Sequence, residues 1–313
     1  MDLFITTFES VAVLLGIGFI GFWIIRRKII PENILGILSP LALEIALPSL
    51  IFVNIIQGFS PSEYPDWWQL PLWWFLFTAT VAVLTFVFMF LSKKETRREF
   101  GISLFFQNGI FFPLAIIAGM YPGEPSYLVF LFLFTLFFPA FFFNTYHLFF
   151  GKREKKLDWK KILHPVLIAT IIAIIIRLSN LPGYIPEFAI SIFQILGAMA
   201  LPLIMIILGG NIYIDFQKKG IIHKYEIIKF IAIKNIVFPL AFLGILFYIH
   251  PDYIIALIIL LQSAVPPVTS VPLVTERANG NRSIVNQFVV ASFIFSLISI
   301  PLMIMLFSMF FSV

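Results

Sequence analysis

Residues 261–277 interrupt a long apolar run, and this interruption limits the folds open to the chain. Its prolines are Pro266, Pro267 and Pro272, and the polar side chains among them are Gln262, Ser263, Thr269 and Ser270. Proline removes a backbone donor and clashes with the preceding turn, so a helix cannot pass Pro266 and Pro267 unbroken. In hydrocarbon, such a break survives only where it is buried in protein or lines a wet cavity. The pattern is typical of a transporter binding site, although a purely structural proline kink gives a similar sequence.

The remainder of the chain is apolar enough to lie in a bilayer. Of its 313 residues, 60% are hydrophobic and 12% are charged, with a mean hydropathy of +1.02. Soluble domains contain about 25% charged residues. We therefore predict an all-α polytopic membrane protein, because a spanning helix needs about 20 apolar residues. Ten transmembrane helices are predicted near residues 5–25, 34–57, 70–91, 98–120, 126–149, 161–179, 187–212, 226–249, 252–275 and 283–311.

Basic residues are concentrated in alternate loops. Clusters of lysine and arginine follow predicted spans one, three, five, seven and nine, whereas the intervening loops contain almost none. The positive-inside rule then places the C-terminal end of each odd-numbered span on the cytoplasmic side of the cell membrane. Both termini of the chain are therefore predicted to lie outside. The net charge of +5 reflects this topology, so no nucleic-acid partner is predicted.

The two halves of the chain share landmarks at one spacing. Residues 46–48 (Ala-Leu-Pro) recur 154 positions later as residues 200–202, and Pro113 recurs at the same spacing as Pro267. Each half has five predicted spans, an odd number, so the repeats would be inverted in the membrane. We therefore predict a first repeat over residues 1–150, a cytoplasmic loop over residues 151–161 and a second repeat over residues 162–313.

Span four, like span nine, has amide side chains shortly before a proline, because Gln107 and Asn108 precede Pro113 as Gln262 precedes Pro266. Spans four and nine enter from opposite sides, so the helices that follow the two breaks would begin near mid-membrane and face a common centre. Each helix N-terminus presents unpaired N–H groups and roughly half a positive charge, which suits an anion such as a carboxylate. The carbonyls freed before each break offer a place for Na⁺. The candidate binding residues are Gln107, Asn108, Gly109, Pro113, Gln262, Ser263, Pro266, Pro267, Thr269 and Ser270.

Two ionisable residues, Glu44 and Lys234, are predicted deep within spans two and eight. Charge inside a membrane is costly and marks a candidate functional site. Their similar depth permits an ion pair, or Glu44 alone as a proton carrier. Alternatively, Lys234 reaches the cytoplasmic surface and Glu44 faces a watery crevice. The coupling ion, H⁺ or Na⁺, therefore stays open. At the breaks, the amide side chains have an alternative role as well, which is to satisfy the broken backbone.

The residues around both breaks resemble the auxin efflux carrier family of membrane transporters. Residues 107–113 are similar to that family's crossover segment, and residues 263–271 with residues 275–277 are similar to its ninth span. Residues 46–48, residues 208–211 and the ten predicted spans extend the resemblance over the whole chain.

This resemblance implies a scaffold of helices 1, 2, 6 and 7 and a transport domain of helices 3–5 and 8–10. In this arrangement broken helices 4 and 9 cross, and the transport domain moves as an elevator. It also implies a small organic anion as substrate, auxin-like or a dicarboxylate. The family's binding residues carry over to Asn108, Pro113, Pro266 and Pro267. The short connection at residues 151–161 resembles the compact microbial branch, and the dimers of plant carriers leave a homodimer open.

Other classes of protein fit the sequence less well. All five aspartates and all four histidines fall in loops or near span ends, so no enzyme is predicted, and no metal or cofactor is expected. A cation/proton exchanger of a related broken-helix fold should have an aspartate at the crossing, where this sequence is neutral. A non-transporting membrane receptor remains the second alternative, and measured flux would separate it from a carrier.

The charge pattern yields a topology that labelling can check. A tag placed in the loop of residues 151–161 should be reachable only from the cytoplasmic face, because that loop holds the densest basic cluster. A tag there that reacts only from the external face would invert the predicted orientation.

Overall fold

A computed structural model describes residues 2–151, 164–179, 181–217 and 221–311, and over these ranges the protein is all-helical. The predicted loop at residues 151–161 lies, apart from Gly151, outside the described residues. We number the helices in chain order as α1 Leu3–Arg26, α2 Ile34–Gly58, α3 Trp67–Leu91, α4 Arg97–Phe105, α5 Phe111–Met120, α6 Pro125–Phe150, α7 Pro165–Leu178, α8 Glu187–Ile214, α9 Lys224–Ile249, α10 Tyr253–Ala264, α11 Val271–Arg277 and α12 Arg282–Ser308.

Seven of these helices are long and apolar enough to cross a membrane, namely α1, α2, α3, α6, α8, α9 and α12. Short turns at residues 135–137 and at Met199 interrupt α6 and α8. The shorter apolar helices α5, α7 and α10 lie where spans four, six and nine were predicted. An all-helical chain with seven candidate membrane spans is therefore confirmed within the described residues, and the ten spans in two inverted repeats stay a prediction.

The two predicted breaks are present, but the helices resume at other residues than the sequence indicated. Residues 106–110 separate α4 from α5, and residues 265–270 separate α10 from α11. Pro113 does not begin the second helix, because it is the third residue of α5. Pro267 lies within its break, and Pro272 takes the second position of α11. The first turn of a helix tolerates proline because its N–H groups have no partner within the helix.

Each of the two intramembrane ionisable residues lies in a π-turn. Glu44 is within the π-turn Leu41–Ala46 of α2, and Lys234 is within the π-turn Ala232–Val237 of α9. A proline follows each turn closely, Pro48 in α2 and Pro239 in α9. Because proline cannot donate to the carbonyl four residues earlier, the ordinary helical ladder is interrupted at both places. Such π-turns are frequent at functional sites.

Close helix packing depends on glycine where α1 meets α8. A Cβ atom on Gly209 would overlap the backbone oxygen of Gly18, and one on Gly21 would overlap the backbone of Ile206. Small residues of this kind let membrane helices approach until their backbones touch.

The remaining helices pack in two main sets. α2 packs against α6, α7 and α8, whereas α9, α10 and α12 pack against one another. The helix α6 contacts α2 as well as α5 and α10, so it lies between the two sets.

Candidate functional site at the crossing of the two broken helices

The two breaks pair with each other through their backbones. The Asn108 N–H donates to the Pro266 oxygen at 2.8 Å, and the Val268 N–H donates to the Phe106 oxygen at 2.9 Å. Gln107 and Pro267 thereby form an isolated antiparallel bridge. Buried backbone groups need hydrogen-bond partners, and each break supplies those that the other lacks. The N–H groups of Asn108 and Val268 are therefore used in the crossing, whereas the predicted role of the N–H groups at the starts of α5 and α11 in binding a ligand stays a prediction.

The Gln262 side chain makes a second link between the breaks. Its Nε2 donates to the Gly109 oxygen at 2.6 Å, and Gln262 is fully buried. Gly109 has no space for a side chain, because a Cβ atom there would overlap Gln262 Oε1. The Nε2 of Gln262 thus satisfies broken backbone, which is one of the two roles that the sequence left open for it, while its buried Oε1 has no hydrogen bond to any described residue.

The Asn108 side chain has no such partner. Asn108 is 1% exposed, yet neither its Nδ2 nor its Oδ1 has a hydrogen bond to any described residue. Burying an amide without hydrogen bonds costs free energy, so most buried polar groups in proteins are paired. An unpaired amide beside the crossing therefore suggests a group that binds a ligand.

A cavity of about 330 Å³ lies next to the crossing. Thr269 and Ser270 line it on one side, and Ser39 of α2 and Asn211 of α8 line it on the other. Arg277 and Arg282 line it at the end that the predicted topology places in the cytoplasm. Of the candidate residues, Thr269 and Ser270 border this cavity, whereas Gln107, Asn108, Gln262 and Ser263 are buried and do not belong to its lining.

Sequence reasoning treated Arg277 only as a topology signal and did not place it in the site. Arg277 is seven residues after Ser270, two turns of a helix, so helical periodicity puts both on one face. Arg282 contacts Glu276 at 2.5 Å. No described residue forms an ion pair with Arg277, which leaves it the unneutralised positive charge of the lining.

Glu44 and Lys234 do not form the ion pair that their depth permits. Lys234 is 1% exposed, so it does not reach the surface, and its Nζ donates to the Ser263 oxygen at 3.3 Å. Glu44 is exposed and lines a separate cavity of about 560 Å³ between α2, α7 and α8. The two residues therefore belong to different helix surroundings.

Broken apolar helices that meet at their breaks, close to a cavity, are a feature found in membrane transporters. The sequence model of the membrane transport protein family matches residues 6–158 and 149–304. The chain therefore belongs to this family, and the predicted membership of the auxin efflux carrier family is confirmed.

A relative supports the same class. An uncharacterized transporter of the archaeon Methanocaldococcus jannaschii is 26% identical over 219 residues, which cover 68% of this chain and 71% of the relative.

Proposed function

We propose that the chain is a secondary transporter that moves a small organic anion, a carboxylate, across the cell membrane by an elevator-type alternating-access mechanism. The observation on which this proposal depends is the buried, unpaired amide of Asn108 at the crossing. Residues of both breaks or of the helices that follow them, Phe111, Thr269 and Ser270, line a cavity of about 330 Å³. The family resemblance adds that the carboxylate is auxin-like or a dicarboxylate.

The charge of the cavity favours an anion over a cation. Among the described residues, its lining contains two arginines and no aspartate or glutamate. A cation/proton exchanger needs an acidic group where the ion binds, and a neutral crossing with arginine at the cavity end does not supply one. A receptor that binds an anion without moving it remains the other candidate, since it would need the same lining.

An elevator movement requires the two broken helices to move together, and two contacts favour this. The crossing joins them at residues 106–108 and 266–268. At the other end of the same two helices, the hydroxyls of Tyr121 and Tyr253 are 2.7 Å apart. In our proposal, the ten predicted spans form two inverted five-span repeats. Predicted spans 3–5 and 8–10 move with the crossing, and predicted spans 1, 2, 6 and 7 stay as the scaffold.

The role of Asn108 can be measured by titration. A hydrogen bond to a charged group contributes about 1.5–3 kcal/mol, so Asn108→Ala should weaken carboxylate binding roughly 10- to 150-fold. Isothermal titration of succinate and phenylacetate into the purified protein gives the affinities.

Asn54→Ala is the matched control for this titration. The Asn54 amide donates to the Leu50 oxygen within its own helix, so this variant should bind as the wild type does. Wild-type affinity in Asn108→Ala would place the ligand away from the crossing and remove the main support for the proposal.

Glu44 is our candidate for the coupling proton. It is exposed to a largely apolar cavity, where a carboxyl group can exchange a proton without an ion-pair partner among the described residues. In proteoliposomes, Glu44→Gln should abolish uptake driven by a pH gradient and leave counterflow exchange of substrate intact. Unchanged accumulation along the pH gradient would leave Glu44 with a structural role.

A further inference from the structure

The ammonium group of Lys234 is buried without a carboxylate. Its Nζ donates to the Ser263 oxygen at 3.3 Å and lies 5.4 Å from the centre of the Phe238 ring. Within the described ranges, Lys234 forms no ion pair. Burying a cation in this way costs several kcal/mol unless nearby groups compensate.

The other buried charged side chains are compensated. Glu99 accepts a hydrogen bond from the Asn281 N–H at 2.9 Å. Glu226 accepts from Ser92 Oγ at 2.6 Å and contacts Lys229 Nζ at 2.9 Å. Lys234 therefore differs from Glu226, which has both a charged partner and a hydroxyl donor, and like Glu99 it has a single hydrogen bond to the backbone.

The helices that pack most extensively against α9 supply no negative charge, and Glu99 of α4, which α9 touches through the rings of Phe100 and Phe230, accepts a hydrogen bond from the Asn281 N–H. α9 packs against α10 and α12, neither of which contains an aspartate or glutamate. The acid of α9 itself is Glu226, in the first turn of the helix and already paired with Lys229. What faces the ammonium is the carbonyl end of α10, because Ser263 is the last residue but one of that helix. A helix C-terminus has roughly half a negative charge.

This charge is connected to the crossing through one helix end. Ser263 follows Gln262, whose amide holds the Gly109 carbonyl of the other break. Gly109 in turn follows Asn108, the residue with the unpaired amide. Two hydrogen bonds thus link Lys234 to the proposed anion site. One joins Lys234 to Ser263, and the other joins Gln262, the neighbour of Ser263, to Gly109, the neighbour of Asn108.

We propose that the Lys234 ammonium is the fixed cation of the transport site. It occupies the carbonyl end of a broken helix, where transporters of this architecture bind a coupling Na⁺, and the transported carboxylate is its counter-ion. This inference rests on the proposed function. It adds that carboxylate binding by this chain depends on the charge of Lys234 and does not require Na⁺.

Two neutral variants separate the charge from the packing. Lys234→Met keeps an unbranched side chain, and Lys234→Gln keeps a donor for the Ser263 oxygen. Lys224→Met is the control, since Lys224 is an exposed lysine of the same helix. Each protein is titrated with succinate and with phenylacetate in buffers that contain either sodium or choline as the only cation, and its thermal unfolding is recorded.

Wild type and Lys224→Met should bind equally well in sodium and in choline. Both Lys234 variants should bind on the order of tenfold more weakly in either buffer, because a unit charge near the ligand is lost. They should unfold at the same or a higher temperature, since replacing a buried charge by a neutral side chain is often neutral or stabilising. If Lys234 served only to stabilise the carbonyl end of α10, both substitutions would instead lower the unfolding temperature.

Three results would overturn the inference while the proposed function stands. They are wild-type affinity in the two Lys234 variants, a wild type that binds carboxylate only in sodium, and loss of binding together with a lowered unfolding temperature. If the wild type binds neither probe in either buffer, the proposed function fails, and the inference fails with it.

Discussion

The structure depends on one constraint, which is that the backbone groups released by two helix breaks must be paired away from water. Pro266 and Pro267 have no N–H group, so their own segment cannot supply the missing donors. The other break supplies one donor, the Asn108 N–H, and one acceptor, the Phe106 oxygen. The Gln262 side chain supplies a third link, to the Gly109 oxygen. Each broken helix is therefore stable in this position only because the other one crosses it.

This mutual pairing has a consequence for binding. Because the crossing uses the N–H groups of Asn108 and Val268 for itself, these two groups are not available to a ligand. The side chains that could bind a ligand near the crossing are the Asn108 amide and the hydroxyls of Thr269 and Ser270, which line the cavity. The site we propose is thus a set of neutral hydrogen-bonding groups between two positive charges, Lys234 behind the crossing and Arg277 at the end of the cavity. Such a set suits an anion whose size the cavity limits.

The sequence predicted the features that follow from proline and hydropathy. Both breaks and the helical class were predictable, because a helix cannot pass Pro266 and Pro267 and because the runs between loops are apolar. The position of Pro113 was not, since proline is tolerated both at a break and in the first turn that follows it. Nor could hydropathy tell whether Lys234 reaches the surface, because a lysine at that depth can extend to water. The different roles of Gln262, whose Nε2 satisfies backbone, and of Asn108, whose amide is unpaired, could not be predicted. They depend on contacts between two segments that are far apart in the sequence.

In the proposed transporter, the cavity lined by Thr269 and Ser270 holds the transported carboxylate. The chain has no cysteine, so Ser270→Cys introduces one thiol at the half-buried edge of that cavity. Its rate of reaction with a membrane-impermeant thiol reagent is measured from each side of sealed vesicles, with and without succinate or phenylacetate. Ser62→Cys, in the exposed loop after α2, is the control. We predict that the thiol of the Ser270→Cys variant reacts from either side in turn, and that carboxylate slows this reaction but not that of the control thiol. Labelling that bound carboxylate leaves unchanged, or that occurs from one side only, would contradict the account.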